Sequence, residues 1–425
     1  MTQDAIDFSE IHFLGSEDWR AFEPEVAARE LLAFAVEAGA SDLFLTDEAS
    51  CVAIRMRRLG RIEPLQRLSR EAGRRLQNHF RAVSGADVTD HMKPVEGRDV
   101  IQISDDRSVD VRISALPNVF GQDLALRLFN SDQSLLSIEQ LGMEPAELTM
   151  VKGLLDSSSG LLLVAGPTGS GKTSSLYSFL RYLNRGDSKI HTLEEPVEYI
   201  IPGVVQSQIN VRAGVDYAQL LYAVLRHAPD VIMIGEIRDQ RTAEIAVRAG
   251  GSGQLVLATV HARTCVGAIQ SMLAYGINRQ FLANSLLGVI SQRLVRRLCL
   301  HCRMPMDGDD LPSSLTGARR WLPAGAKPTL FLPVGCEQCI DGYDQLTCVP
   351  EILKVKAELR RGVAEQFDFD RLSTIARKTG QWSFQTAAQL RLANGTSTLN
   401  ELVRVIPEDE LSDAVDEPTA ELVAK

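Results

Sequence analysis

Apolar residues in the first third of the chain fall into two rhythms. Val26, Leu31, Phe34 and Ala35 recur at helical spacing from Glu25, with Gly39 as a stop signal, and a second helix is predicted from Ser69 to Ser84. Between and after them, Asp42–Thr46, Cys51–Met56, Val100–Ile103, Val109–Ile113 and Leu124–Leu128 read as strands. In the last two of these, polar residues alternate with apolar ones, which turns Arg112 and Arg127 away from the core face. Residues 1–24 have no clear period and read as an arm, 25–130 as a small α/β domain, and the polar stretch 131–137 as a linker.

From Ile138 the pattern changes. Leu161-Leu162-Leu163-Val164-Ala165 is a continuous apolar run of the kind a strand buried on both faces requires. It enters Gly166-Pro167-Thr168-Gly169-Ser170-Gly171-Lys172-Thr173 and then Ser174 to Leu183, where Leu176, Phe179, Leu180 and Leu183 share one side. Strand, glycine-rich turn and helix together make G-x-x-x-x-G-K-[ST] a P-loop. Backbone N–H groups of Gly166 to Ser174 converge on phosphate oxygens at a helix N-terminus. Lys172 reaches the β- and γ-phosphates of ATP, and the Thr173 hydroxyl is a ligand for Mg²⁺. Residues 138–407 are expected to form an α/β nucleotide-binding domain.

Bulk properties narrow the class. The chain has 425 residues, 45% hydrophobic and 24% charged, with a net charge of −10. That charge argues against nucleic-acid binding over the general surface. No apolar run approaches a membrane span and the start is acidic, so a cytoplasmic location is expected, with any membrane role exercised through partners. Seven cysteines in such a setting point to thiols or metal ligands rather than a disulfide framework.

Three further stretches carry candidate chemistry. Thr192-Leu-Glu-Glu-Pro-Val-Glu198 places Glu194, Glu195 and Glu198 after a short strand, in a segment that Pro196 bars from ordinary helix. In Asp230-Val-Ile-Met-Ile-Gly-Glu236, four apolar residues deliver Glu236 to a strand end, where ligands of open α/β sheets sit. A carboxylate there can hold the Mg²⁺ shell or orient an attacking water; Gly235 stands where many P-loop enzymes carry an aspartate. Leu255-Val-Leu-Ala-Thr-Val-His261 brings His261 to the same edge as a candidate γ-phosphate sensor.

Taken together, GPTGSGKT, TLEEPVEY, LRHAPDVIMIGEIRDQRTAEIAVRAG and GQLVLATVHA resemble the secretion-superfamily ATPases of type IV pilus assembly and type II secretion, over about Glu25 to Pro407. The resemblance implies a PAS-like N-terminal domain, a RecA-like ATPase domain, a ring of six, and ATP bound between the domains. It makes Glu198 the catalytic glutamate that polarises water, Glu236 the Walker B glutamate and His261 the second histidine of the His box. Arg112 and Arg127 take the places of arginines offered to the γ-phosphate, and Arg226 and Arg238 those of arginines near the nucleotide. An inner-membrane platform protein is the implied partner, and the association with that membrane is peripheral. Three positions depart from the family pattern: Gln254 replaces the first His-box histidine, Glu195 the usual aspartate, and Ala228 an acid. Gln254 hydrogen-bonds but takes no proton near neutral pH.

Cys299-Leu-His-Cys302 and Cys336-Glu-Gln-Cys339 are two C-x₂-C pairs, a donor set for structural Zn²⁺ in a module spanning about 297–350. His301 is a bystander, and Cys51, Cys265 and Cys348 have no assigned role. The four cysteines resemble the assembly branch of the family, although only some 24 residues precede the PAS-like unit where assembly ATPases usually carry another domain. Leu287, Ile290, Leu294 and Leu298 predict a helix whose solvated basic face holds Arg293, Arg296 and Arg297. Residues 408–425 read as a solvated acidic tail. Two other readings stand beside the pilus or secretion motor: a DNA-uptake or conjugation motor gripping through the zinc module, and a weakly hydrolysing regulator.

Overall fold

A computed structural model describes residues 23–85, 92–130, 135–210, 213–307, 317 and 329–411. Most of the arm, four residues of the linker, and the tail from residue 412 lie outside these. The chain divides after Ser134 into two compact units.

The first unit runs α1 (Pro24–Glu37), β1 (Asp42–Asp47), β2 (Cys51–Arg58), β3 (Arg61–Ser69), α2 (Arg70–Val83), β4 (Val95–Ser104), β5 (Arg107–Asn118) and β6 (Gly121–Asn130). The strands form one six-stranded sheet ordered β3-β2-β1-β6-β5-β4. Leu31, Leu32, Leu76 and Phe80 of the helices pack on Leu43, Leu45, Val111, Ile113, Leu124 and Leu126 of one face. Ser69 caps α2 by accepting from Ala72 N–H. β3 has no alternation strong enough to stand out in the sequence; it is half-exposed along most of its length.

The second unit opens with a 3₁₀ turn (Ile138–Leu141) and α3 (Pro145–Leu155). It continues with β7 (Gly160–Ala165), α4 (Lys172–Leu183), β8 (Ile190–Glu194), β9 (Val205–Gln208), α5 (Tyr217–Leu225), β10 (Val231–Ile234), α6 (Gln240–Gly251) and β11 (Leu255–Val260). Next come α7 (Cys265–Ala274), α8 (Arg279–Ser285), β12 (Leu286–Leu298), β13 (Met304–Asp307), β14 (Thr329–Leu332) and β15 (Tyr343–Lys354). Five helices end the described chain: α9 (Ala357–Ala364), α10 (Phe369–Lys378), α11 (Phe384–Ala393), α12 (Leu399–Val405) and α13 (Glu408–Leu411).

Seven strands build its main sheet, ordered β15-β12-β7-β11-β10-β8-β9. All neighbours pair in parallel except β12 and β15. Helices cover both faces, so β7 is buried along its whole length. Leu161, Leu163 and Ala165 join one core, and Leu162 and Val164 join the other with Leu176, Phe179 and Leu180 of α4. Each such leucine contributes about 1.5–3 kcal/mol by leaving water. Arg391 of α11 and Glu147 of α3, both fully buried, pair at 2.7 Å and lock the flanking helices together.

Two expectations are corrected here. Leu286–Leu298 is a strand, not a helix, because it is hydrogen-bonded between β7 and β15 and buried on both faces, which erases strand alternation from its sequence. Its basic residues are not a solvated face either. Arg293 and Arg296 are buried against Glu410 and Glu401, and Arg297 pairs with Asp344 at 2.8 Å. The acidic tail does not start at residue 408, since Glu408–Leu411 is a helical turn with Glu410 and Leu411 buried.

Candidate nucleotide site and cysteine cluster

Parallel pairing sends the ends of β7, β8, β10 and β11 to one edge of the sheet. The P-loop leaves β7 there. Gly169 and Gly171 have φ of 77° and 85°, a left-handed conformation that glycine adopts without Cβ strain. Gly171 is the N-cap of α4, so the first N–H groups of that helix have no intrahelical acceptor. Ser170 Oγ is buried and has no hydrogen-bond partner among the described residues. Lys172 Nζ donates to the carbonyls of Gly166 and Pro167, each at 2.9 Å. Burial pushes its ammonium below the ordinary value, with Glu236 opposing and Arg293 adding to the fall. Orphan donors and a partly desolvated cation in one loop are a fit for a polyphosphate.

Across this edge runs a chain of side-chain contacts. Glu236 Oε1 meets His261 Nε2 at 2.8 Å, and its Oε2 accepts from Arg238 Nε at 2.6 Å. Arg238 Nη1 reaches Glu195 Oε2 at 3.2 Å. Three strand ends are thereby joined, those of β8, β10 and β11. The backbone sets the spacing: Gly235 N–H donates to Leu193 O at 2.8 Å and Ile237 N–H to Thr259 O at 3.0 Å. A Cβ at Gly235 would stand 3.2 Å from that Leu193 carbonyl and from Tyr217 Oη, so a larger residue there would need these neighbours to give way by a few tenths of an ångström.

The acidic turn after β8 splits into different roles. Glu194 is buried and accepts from Thr192 Oγ1 at 2.5 Å, Gln206 Nε2 at 3.1 Å and the Tyr177 hydroxyl, so its carboxylate is already used. The Tyr177 hydroxyl in turn accepts from the N–H groups of Glu198 and Tyr199, at 3.1 and 3.3 Å. Burial, together with the bond to Glu194, holds this phenol well above its usual value. Tyr177 thus pins the turn that presents the half-buried Glu198. Glu195, one of the three carboxylates of this stretch, is the acid tied to Arg238.

Gln292 of β12 also belongs to this edge. Its Nε2 donates to Ser170 O at 2.8 Å, and its Oε1 accepts from Ser175 Oγ at 2.9 Å. It therefore holds the P-loop and the first turn of α4 from below. A helix prediction over this segment concealed it; no local pattern marks a glutamine as a strand-borne clamp.

Other named residues lie elsewhere. Gln254 precedes β11, and its carbonyl accepts from Gly160 N–H at 3.0 Å where β7 begins. Six strand residues separate it from His261, roughly 20 Å at 3.3 Å per residue. Its side-chain Oε1 is buried without a hydrogen-bond partner among the described residues. Arg226 caps the end of α5 and Ala228 sits in the turn before β10, so the structure puts both at this opposite edge rather than with the P-loop. Lys189 N–H, donating to Asp230 Oδ2 at 2.7 Å, closes that edge.

In the first unit Arg112 and Arg127 are directly opposed across β5 and β6. Arg112 lies 4.5 Å above the Phe129 ring, and Arg127 pairs with Asp42 at 3.1 Å. The same row continues to Arg98 opposite Arg112 and to Arg57 opposite Asp42, on the face that α1 and α2 leave uncovered.

The four cysteines gather between β12 and β15. All their sulfurs lie within 4.8 Å of one another. Cys299–Cys336, Cys302–Cys339 and Cys336–Cys339 are separated by 3.8, 3.7 and 3.6 Å. A tetrahedron with Zn–S bonds of 2.3 Å has edges of about 3.8 Å. N–H groups of Gly335 and Cys336 point at the sulfurs of Cys302 and Cys339, at 3.3 and 3.2 Å, as thiolates favour. Cys299 N–H donates to Gly342 O at 2.8 Å and closes the neck, while β13 and β14 pair just beyond the first knuckle. The donor set fits zinc.

Residues 20–404 match the family model for "Type II/IV secretion system protein". The type IV pilus assembly ATPase PilB of Pseudomonas aeruginosa is 34% identical over 383 residues, covering 88% of this chain and 66% of the relative. Type II secretion system protein E of the same organism is also 34% identical, over 89% of this chain and 74% of the relative. The chain thus spans about two thirds to three quarters of the length of these relatives. Among solved structures, the Legionella pneumophila ATPase DotB superposes with a TM-score of 0.68 at 18% identity, covering 92% of this chain and 97% of that one. That likeness shows the fold, an α/β architecture with a parallel sheet. A P-loop, a carboxylate–histidine–arginine chain at one sheet edge and a family match over nearly the whole sequence lead to one conclusion: this chain belongs to the type II/IV secretion system ATPase family.

Proposed function

We propose that this chain is the subunit of a homo-hexameric motor that hydrolyses ATP to drive assembly of a type IV pilus or a type II secretion pseudopilus, acting on an inner-membrane platform protein. The observation that carries the hydrolytic part is the His261–Glu236–Arg238–Glu195 chain beside the P-loop. The tetracysteine cluster supports the assembly branch, and zinc is proposed as its structural metal.

In this reading the N–H groups of the P-loop take the phosphates, and Lys172 turns from the Gly166 and Pro167 carbonyls to the β- and γ-phosphates. Glu198 is proposed to take the proton of the attacking water. Thr173 and Glu236 are the residues that would hold Mg²⁺, which supplies charge neutralisation at the phosphates. Each Glu236 oxygen has one partner in the structure and keeps a second lone pair free for the Mg²⁺ shell or a water, so Glu236 can face the phosphates while still joined to His261 and Arg238. A change at the phosphates would then be felt at three strand ends, the kind of local exchange from which switching motions grow. Arg112 and Arg127 are proposed as phosphate-directed arginines because their cross-strand pairing presents two guanidinium groups on one face.

No helix among the described residues is long and apolar enough to cross a membrane, and the membrane role is proposed to pass through the platform partner. A nucleic-acid motor has less support, because Arg293, Arg296 and Arg297 are occupied by acidic partners. Native mass measurement of the full chain with ATP, followed by recovery of partners from membranes with and without nucleotide, tests the proposal. Hexamers that retain an integral membrane protein in a nucleotide-dependent way are expected. A monomer with no such partner, or turnover stimulated by DNA alone, would count against it.

A further inference from the structure

Beyond Pro407 the turn α13 brings one carboxylate back into the second unit, beside the P-loop edge. Glu410 is 8% exposed. Its Oε2 accepts from Arg293 Nη2 at 3.1 Å, and its Oε1 lies 3.3 Å from Arg263 Nε. These two arginines belong to the two sides of the candidate site. Arg263 follows His261 by two residues. Arg293 follows Gln292, whose side chain holds Ser170 and Ser175 of the P-loop and α4. The two sides are also tied through one carbonyl: Arg263 O accepts from Arg293 Nη2 at 2.8 Å and from Ser291 Oγ at 2.9 Å.

Arg293 is 3% exposed and stacks 4.8 Å from the Phe384 ring, so its guanidinium has been taken out of water. A buried guanidinium keeps one geometry only while a carboxylate balances it. Glu410 supplies that balance and, with its second oxygen, fixes the loop after β11. We propose that Glu410 is a positioning residue for ATP turnover: through Arg293 and Arg263 it holds the loop after His261 against the β12 segment whose Gln292 supports the P-loop. The C-terminal turn is then part of the frame of the site, although it touches no phosphate. The inference rests on the reading of Lys172, Glu236 and His261 as the hydrolytic site.

A frame of this kind has a specific kinetic consequence. ADP engages the P-loop alone, whereas hydrolysis needs the P-loop and the Glu236–His261 side in register. A misplacement of about 1 Å can cost on the order of a hundredfold in rate. In the assembled full-length protein, Glu410→Gln is expected to lower kcat roughly tenfold while leaving the ADP dissociation constant, read by titration calorimetry, within about twofold of wild type. Glu410→Asp should recover most of the rate.

Arg263→Gln removes only the exposed half of the clamp and leaves the buried Arg293–Glu410 pair in place, so folding is not at risk. It should lower kcat about threefold on the same criterion and add nothing in the double variant with Glu410→Gln. Wild-type kcat in Glu410→Gln or Arg263→Gln, or equal loss of rate and ADP affinity in Glu410→Gln, would overturn the proposal. Turnover that survives Lys172→Ala would instead overturn the site reading beneath it.

Discussion

The two edges of the seven-stranded sheet carry opposite kinds of residue. Where β7, β8, β10 and β11 end, the P-loop lies at the same edge as Glu195, Arg238, Glu236 and His261, which are joined to one another by short side-chain contacts. Where the same strands begin, Gly160, Gln254, Asp230 and Lys189 are tied mainly through backbone groups. Two of the three departures from the family pattern, Gln254 and Ala228, fall at the second edge. The third, Glu195, falls at the first and keeps its carboxylate in the Arg238 contact. A departure from a motif therefore has no fixed meaning; its weight depends on the strand end that carries it. The grounds for a weakly hydrolysing regulator shrink accordingly.

The largest expected effects lie at the phosphate edge. Lys172→Ala and Glu236→Gln should each lower kcat by a hundredfold or more, on the order of removing a main electrostatic contact to the transition state, with Glu236→Gln still binding ATP. Phosphate release and filter binding check both. Near-wild-type rates would erase the contrast between the edges.

β12 runs past the P-loop to the cysteine cluster, so loss of zinc should be felt at the first edge as well. Elemental analysis should find about one zinc per chain, and chelation should lower the melting temperature by several degrees. The same strand holds the buried Arg296–Glu401 pair. Burial alone would raise the Glu401 carboxyl, but bonds from Arg296 and Arg404 hold it down to about 2. The unfolded chain takes up this proton near the ordinary carboxylate value of 4.5 and the folded one resists it. Stability from the pair is thus complete above about 4.5 and is lost as pH falls towards 2. Glu401→Gln should remove that portion of the acid dependence in denaturant titrations.

Smaller effects are expected at the opposite edge. Ala228 has φ of 48°, a left-handed conformation that costs a residue with a Cβ about 1 kcal/mol. Ala228→Gly should stabilise the protein by roughly 0.5–1 kcal/mol without changing turnover. Gln254→His, which restores the family residue, should leave kcat within about twofold of wild type. A large gain in rate would mean that the two edges communicate.

Much of the phosphate edge was legible because its signals are local. A glycine-rich turn between an apolar run and a helix, or a carboxylate just past four apolar residues, is visible within about ten positions. β12 was not legible for the opposite reason. Leu287, Ile290, Leu294 and Leu298 mimic a helical stripe because the strand is buried on both faces, and its polar residues are satisfied from far along the chain. Gln292 answers to Ser170, Arg293 to Glu410 and Arg296 to Glu401. β3 does not stand out because its pattern is too weak, nor does the helical turn at 408–411, because its charges resemble those of the acidic sequence that follows.

By itself the sequence determined the P-loop, the apolar strands that deliver it, Glu236 and His261, the four thiols and the family, since each is written in adjacent residues whose geometry follows from backbone rules. Only the tertiary structure decided which side chains at that edge pair with one another. Pairs such as Glu236 with His261, Arg238 with Glu195 and Glu410 with Arg293 form when strands pair in parallel and residues 408–411 fold back, and no short-range pattern records that return.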